Sequence, residues 1–232
     1  MIIDLYKYGA EVAAYVRAAE EFVARTSRYR LEAIHNELET GRETRRNFRW
    51  GTESIRTIDA TQYDRRVGAN EPIVATIGFR ASFIAPTNRR SSDWAVEEMV
   101  THLKIFRVSA EEHPVMHLHV DKKNAGQLGP ELHLQVSEHC TERLGMRLAV
   151  PRIPAGFLLP TDCLDFILSE LFWSGWSKAQ TSAHNFSTVR NAQLGRASDF
   201  AAAVYSAWTK FPRRTPISVL QDCSFEPALR LA

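Results

Sequence analysis

Six of the eight histidines in this 232-residue chain fall between residues 102 and 139, and three of them alternate with apolar residues beside carboxylates. The two stretches are His117-Leu-His119-Val-Asp121 and Glu131-Leu-His133-Leu-Gln135. On a β-strand, successive side chains point to opposite faces. His117, His119 and Asp121 therefore share one face of a first strand, and Glu131, His133 and Gln135 share one face of a second. Antiparallel pairing across the loop containing Gly126, Gly129 and Pro130 brings the polar rows together, with His119 expected opposite His133 and Asp121 opposite Glu131. Neutral imidazole and carboxylate suit Zn or Mn, so His117, His119, His133, Asp121 and Glu131 are candidate metal ligands. Histidine also relays protons near neutral pH and can attack phosphorus. His117, His119 and His133, with Gln135, are thus candidate catalytic residues of a phosphoester- or nucleotide-directed hydrolase. The competing expectation is a solvated sheet face on which these groups only meet water.

These residues need a sheet to hold them. Residues 72–86 alternate without a break, with Ile73, Ala75, Ile77, Phe79, Ala81 and Phe83 on one face, which predicts a half-buried antiparallel strand. A strand is also expected near Asn47–Ile58. Around residues 94–108 the pattern predicts a helical turn at Trp94 and then a strand from about Val100. Ahead of the sheet, Leu5, Val12 and Ala19 with Tyr8, Tyr15 and Phe22 recur at helical spacing, predicting one long helix over residues 4–37 closed by Gly41. After it, Thr161–Ser174 reads as a helix capped by Thr161, carrying Asp162 and Asp165 at its positive start and ending at Gly175. Ser198–Phe211 reads as a further helix, with a short one over 183–194 and an edge strand at Ile217–Leu220. The expected fold is a single α+β domain: a long N-terminal helix (1–40), an antiparallel β-meander of four to five strands (46–137) and a helical C-terminal part (158–211).

The net charge of +2 hides an asymmetry. From Arg25 to Arg90 there are thirteen Arg, no Lys and eight acidic residues; from Ser91 to Cys140 there are four basic and eight acidic residues. Arg45, Arg46 and Arg49, interleaved with Phe48 and Trp50, combine cations with aromatic rings and are candidates for nucleic-acid or phosphate binding. The same arrangement also fits a solvated loop with two anchoring aromatics. Cys140, Cys163 and Cys223 are odd in number and lack CxxC spacing, which points to a reducing compartment. No apolar run approaches the roughly 18 residues of a membrane-spanning helix. A cytoplasmic protein without membrane contact is the expectation, with the N-terminal helix offering a seam for a protein partner or a homodimer.

Three resemblances add to this. AGQLGPELHLQV, residues 125–136, resembles the end of the histidine-triad motif, which implies a nucleophilic His133 and sets Gln135 where the galactose-1-phosphate uridylyltransferase branch carries Gln; Glu131 stands where that family has its first histidine. Asp121 followed by Glu131-Leu-His133 resembles the carboxylate pair of restriction-endonuclease-like folds, with His133 in place of the activating Lys. Over residues 113–176 the paired HxH and HxQ strands, followed by the Pro160 helix, look similar to a family of small prokaryotic proteins without an assigned activity. Two function classes stay open: the hydrolase, and a non-catalytic binding or adaptor protein, of the kind a prokaryotic defence or toxin-type operon contains, acting through the long helix or the Arg-rich face.

Overall fold

A computed structural model describes residues 1–61, 71–88, 91–122, 132–136, 153–154, 158–182, 186–211, 213–215, 218 and 230–231. Its elements run β1 (Ile2–Asp4), α1 (Leu5–Ala19), α2 (Arg28–Thr44), β2 (Phe48–Arg56), β3 (Ile73–Ile84), β4 (Asp93–Arg107), β5 (Met116–Lys122), β6 (Leu132–Val136), β7 (Ile153–Pro154), α3 (Pro160–Leu171), α4 (Trp173–Ser182), α5 (Phe186–Lys210) and β8 (Arg230–Leu231). Strands β2 to β7 pair in sequence order as an antiparallel meander, and β1 pairs antiparallel with the start of β4 and parallel with β8. The α+β architecture anticipated from the pattern is the one observed.

The period-two rows set the faces of the sheet. Trp50, Phe79, Ala81, Phe83, Met99, Leu103, Leu118 and Val120 are buried on one side. The helices lie on that side. Trp50 packs edge-on to Tyr8 of α1, and its Nε1–H donates to the Ile34 carbonyl of α2 at 2.7 Å, so one indole ties both N-terminal helices to β2. Burying each large apolar side chain of this kind contributes about 1.5–3 kcal/mol. The other side of the sheet carries Arg80, Glu98, His102, Lys104, His117, His119, Asp121 and His133, as the cross-strand register requires.

Several local expectations are corrected. The N-terminal helix is two helices, not one. Val23 leaves α1 in extended conformation and bridges to Thr57, and Ala24 N–H donates to the Arg56 carbonyl at 2.9 Å. Neither Gly nor Pro marks this break; pairing with the edge of β2 overrides helical propensity there. The apolar stripe of α1 and of the turn after it packs within the chain: Tyr15, and Phe22 just beyond the end of α1, pack on Trp176 of α4, and Tyr15 also meets Phe186 of α5. Gly41 does not close a helix. It lies inside α2, where a Cβ would overlap the Phe48 ring, and the left-handed C-cap residue is Arg45 (φ 53°). The expected helical turn at Trp94 is strand, because β4 runs unbroken for 15 residues with the Trp94 indole fully buried.

Gly175 sits within α4, close against Phe22, instead of ending α3. The cap of α3 is Leu159, and Thr161 is its second residue. The expected helices over 183–194 and 198–211 belong to one 25-residue helix, α5. Trp176 is core, but Trp173 is 56% exposed. The strand expected at Ile217–Leu220 falls, apart from Ser218, outside the described residues.

Candidate histidine centre on the polar sheet face

Two neighbouring strands build the site. In the register of β4 with β5, His102 lies opposite His119 and Lys104 opposite His117. His117 and His119 are two apart on β5 and so share its polar face. The three imidazoles converge. One ligand nitrogen from each of His102, His117 and His119 can be chosen such that all three lie within 4.8 Å of one another. The Nε2 atoms of His117 and His119 are 3.0 Å apart, and the His102 ring meets the His119 ring edge-on at 4.4 Å between centroids. Burial, and next the charge of His119, lower the pKa of His102, while Asp121 acts in the opposite sense and Lys104 and Arg80 reinforce the lowering. The net effect favours neutral imidazole, the form that carries a lone pair for a metal.

A tetrahedral Zn with bonds of 2.0–2.1 Å holds its nitrogen ligands about 3.3 Å apart. The His117–His119 separation of 3.0 Å is near that value, and the third nitrogen, from His102, lies within 4.8 Å of the other two. Among the described residues the donor set is three imidazoles.

The site grades from open to closed across the sheet. Arg80 on β3 has a side chain 72% exposed, His102 and His119 are half-buried, and His117 and His133 are buried. His102 borders a depression of about 460 Å³ whose lining also includes Gly51, Gly78, Arg80, Arg49, Glu53 and Glu37. A bulge borders that depression. Between Thr52 and Ile55 the β2–β3 register shifts, and the Glu53 carbonyl lies so close over Gly78 that a Cβ there would overlap it. Gly51 is equally tight against the Phe79 carbonyl.

The remaining sequence candidates divide. His117 and His119 belong to the cluster. His133 does not: it sits opposite Asp121, two residues further along than the hairpin spacing predicts, and His119 faces Gln135 instead. The shift is even, so the polar face is preserved while the partners change. Asp121 and His133 lie outside the three-histidine group. Glu131 and the side chain of Gln135 fall outside the described residues. His102 joins the cluster without having been a sequence candidate, although Val100-Thr-His102-Leu-Lys104 alternates plainly; what the sequence lacks is the turn geometry that pairs residue 102 with 119. In the Arg-rich stretch Trp50 is core and Phe48 packs half-buried against the core, and Arg45 is engaged by the Ser91 carbonyl and the Tyr6 hydroxyl at 2.9 and 2.7 Å. Arg49 alone of the three lines the depression.

A second polar concentration lies on the helical side. Arg196 of α5 donates to Glu11 of α1 at 2.6 and 2.8 Å and to Asp162 of α3 at 2.6 Å. Thr161 Oγ1 donates to Glu11 at 2.8 Å, and the second Asp162 oxygen accepts the Leu159 N–H at 2.7 Å. Asp162 thus serves the helix start, as its position suggests, and also neutralises Arg196. Burial raises the pKa of both carboxylates against the opposing pull of Arg196. The side chains of Glu11 and Arg196 are wholly inaccessible, so this cluster holds helices together and meets no substrate.

Comparison of the chain with protein-family models, curated proteins and solved structures finds no match. Among the described residues no helix is long and apolar enough to cross a membrane.

Proposed function

We propose that His102, His117 and His119 form a transition-metal centre, with Zn the best-suited ion, and that the protein is a metal-dependent hydrolase directed at phosphoesters. The observation that carries this reading is the convergence of three imidazole nitrogens within 4.8 Å on a sheet face that opens beside His102. Structural zinc sites are closed by four protein ligands, whereas catalytic ones keep a position for water. An ion held by three neutral histidines lowers the pKa of its bound water to about 7 and so supplies hydroxide at neutral pH. The chain's own contribution is orientation. Strand pairing sets His102 against His119, the His117 ring is buried, and Arg80 and Lys104 bring positive charge toward His102 against the negative charge of Asp121. The two cationic side chains can attract an anionic substrate such as a phosphoester.

Metal analysis of the purified protein after dialysis, followed by phosphate release from a panel of phosphomonoesters and phosphodiesters, tests the proposal. The expected outcome is about one equivalent of Zn and an activity that chelation removes and Zn restores. His102→Ala is expected to lose both. A protein that retains no Zn, or a His102→Ala variant that binds and turns over as before, would sink the reading.

A further inference from the structure

Asp121 shares the polar face with the three histidines and lies outside the group that can hold an ion. We propose that it is a positioning residue of this centre: its carboxylate orients the His102 ring and offsets the charge of a bound ion, without ligating the ion itself. The inference rests on the metal-centre reading for the ion and on the strand register for the carboxylate.

The register places Asp121 beside two imidazoles. It follows His119 by two residues on β5 and so belongs to the same face. Across the β4–β5 pair it lies opposite Val100, which makes His102 its diagonal neighbour; across the β5–β6 pair it lies opposite His133. Diagonal neighbours on one face are roughly 7–8 Å apart, within reach of a ring. The charges felt by His102 agree with this placement: Asp121 acts on it as an acid, and His119, Lys104 and Arg80 oppose that action. Oδ1 of Asp121 is closed to solvent and His133 is 1% exposed, so the charge of the carboxylate is weakly screened. Glu98, on the same face, pairs instead with Arg80 at 2.9 Å.

Three neutral imidazoles leave the double charge of a divalent ion on a half-buried surface that already carries Arg80 and Lys104. A carboxylate nearby offsets that charge. Metal-bound imidazoles also tend to give their second ring N–H to a carboxylate, which fixes the tautomer and makes the ligand nitrogen more basic. Loss of such a partner weakens metal binding roughly 10–100-fold. The competing role is structural: Asp121 serves His133 alone and has no hold on the ion.

The test uses the full chain and two readouts. Ring-nitrogen NMR of the metal-free protein, above the histidine titration range, reports the tautomer of His102. Titration with cobalt, followed by its visible absorption, reports the centre. Asp121→Asn is expected to move the His102 ring nitrogens toward a mixture of tautomers and to weaken cobalt binding roughly 10–100-fold. Asp121→Glu keeps the charge and shifts it by one methylene, so it should fall between wild type and Asp121→Asn in both readouts. His133→Gln is expected to leave the His102 signals in place and cobalt affinity within about threefold, under 1 kcal/mol. Unchanged His102 signals and unchanged cobalt affinity in Asp121→Asn overturn the inference, and so does a His133→Gln variant that reproduces the losses of Asp121→Asn. Where Asp121→Asn does not fold, Asp121→Glu decides by the same two readouts. A wild type without a cobalt spectrum overturns the metal-centre reading, while the ring nitrogens still decide whether Asp121 positions His102.

Discussion

Two clusters of three ionisable side chains among the described residues are opposite in kind. Glu11, Asp162 and Arg196 come from three helices and combine opposite charges, with hydrogen bonds from Thr161 and Leu159 completing the carboxylates. His102, His117 and His119 come from two adjacent strands and are chemically alike. A cluster of complementary charges neutralises itself and can be sealed from water. A cluster of like imidazoles gains most from something that accepts three lone pairs at once. Position follows from this difference: the first cluster is inaccessible, and the second borders an open depression.

The sharpest way to break the comparison is to remove Arg196. Arg196→Met leaves two carboxylates in a buried site without a counter-charge, and the expected loss is about 3–5 kcal/mol in denaturant unfolding. A loss below about 1 kcal/mol would mean that water reaches the cluster or that the carboxylates take up protons freely.

The histidine cluster should behave in the reverse way. His102→Ala is expected to leave metal-free stability within about 0.5 kcal/mol, because the ring is half-buried on a sheet surface. What it should abolish is stabilisation by Zn. For the wild type that stabilisation is about 2.7 kcal/mol at a free Zn concentration a hundred times the dissociation constant. Thermal melts with and without Zn give both numbers, and a Zn-induced shift that survives His102→Ala assigns the ion to other residues.

How far each cluster could be read from the sequence follows the same division. The histidine face is a local pattern: period two fixes which side chains share a face, so His117, His119 and the polar row were evident, and only the register across the turn between β4 and β5 was needed to add His102. The apolar face of β3 and the order of the meander were legible for the same reason. The ion-pair cluster joins residues 11, 162 and 196, and no spacing rule reaches that far. Glu11 interrupts an otherwise apolar helix face, which is the one local sign that its stripe holds a buried partner. The break at Val23 and the shift of helix ends at Gly41 and Gly175 were hidden because each is set by a tertiary neighbour, respectively Thr57, Phe48 and Phe22.

The pH dependence separates the charge states within the buried cluster. Burial raises the Glu11 and Asp162 pKa values above their unfolded ones. A group with a raised folded pKa contributes stability that is fully present below the unfolded value and is lost as pH rises through the folded value. Stability from this cluster should therefore decline as pH climbs from the ordinary carboxylate range toward neutrality. Glu11→Gln, which keeps the shape and an acceptor, is expected to flatten that decline by an amount smaller than the Arg196→Met loss. Urea unfolding at a series of pH values measures it, and a steeper decline in the variant would show that Glu11 ionises more readily than burial allows.

The smallest effect is expected where the same chemistry meets water. Arg56 of β2 and Glu111, beyond the end of β4, form a two-pronged carboxylate–guanidinium pair with side chains 30% and 43% exposed. The hydrogen bonds from Arg56 hold the Glu111 pKa below its usual value. A depressed carboxylate contributes stability above its unfolded pKa and loses it as pH falls through the folded one, the reverse of the buried pair. Glu111→Gln is expected to cost under about 1 kcal/mol at neutral pH and less in molar salt, because an exposed pair is screened and its ordering entropy offsets much of its attraction. Set beside Arg196, the contrast isolates burial as the variable: the partners are the same functional groups, and the sign of the pH dependence and the size of the loss both change with access to solvent. A Glu111→Gln loss as large as that of Arg196→Met would remove burial as the explanation for either.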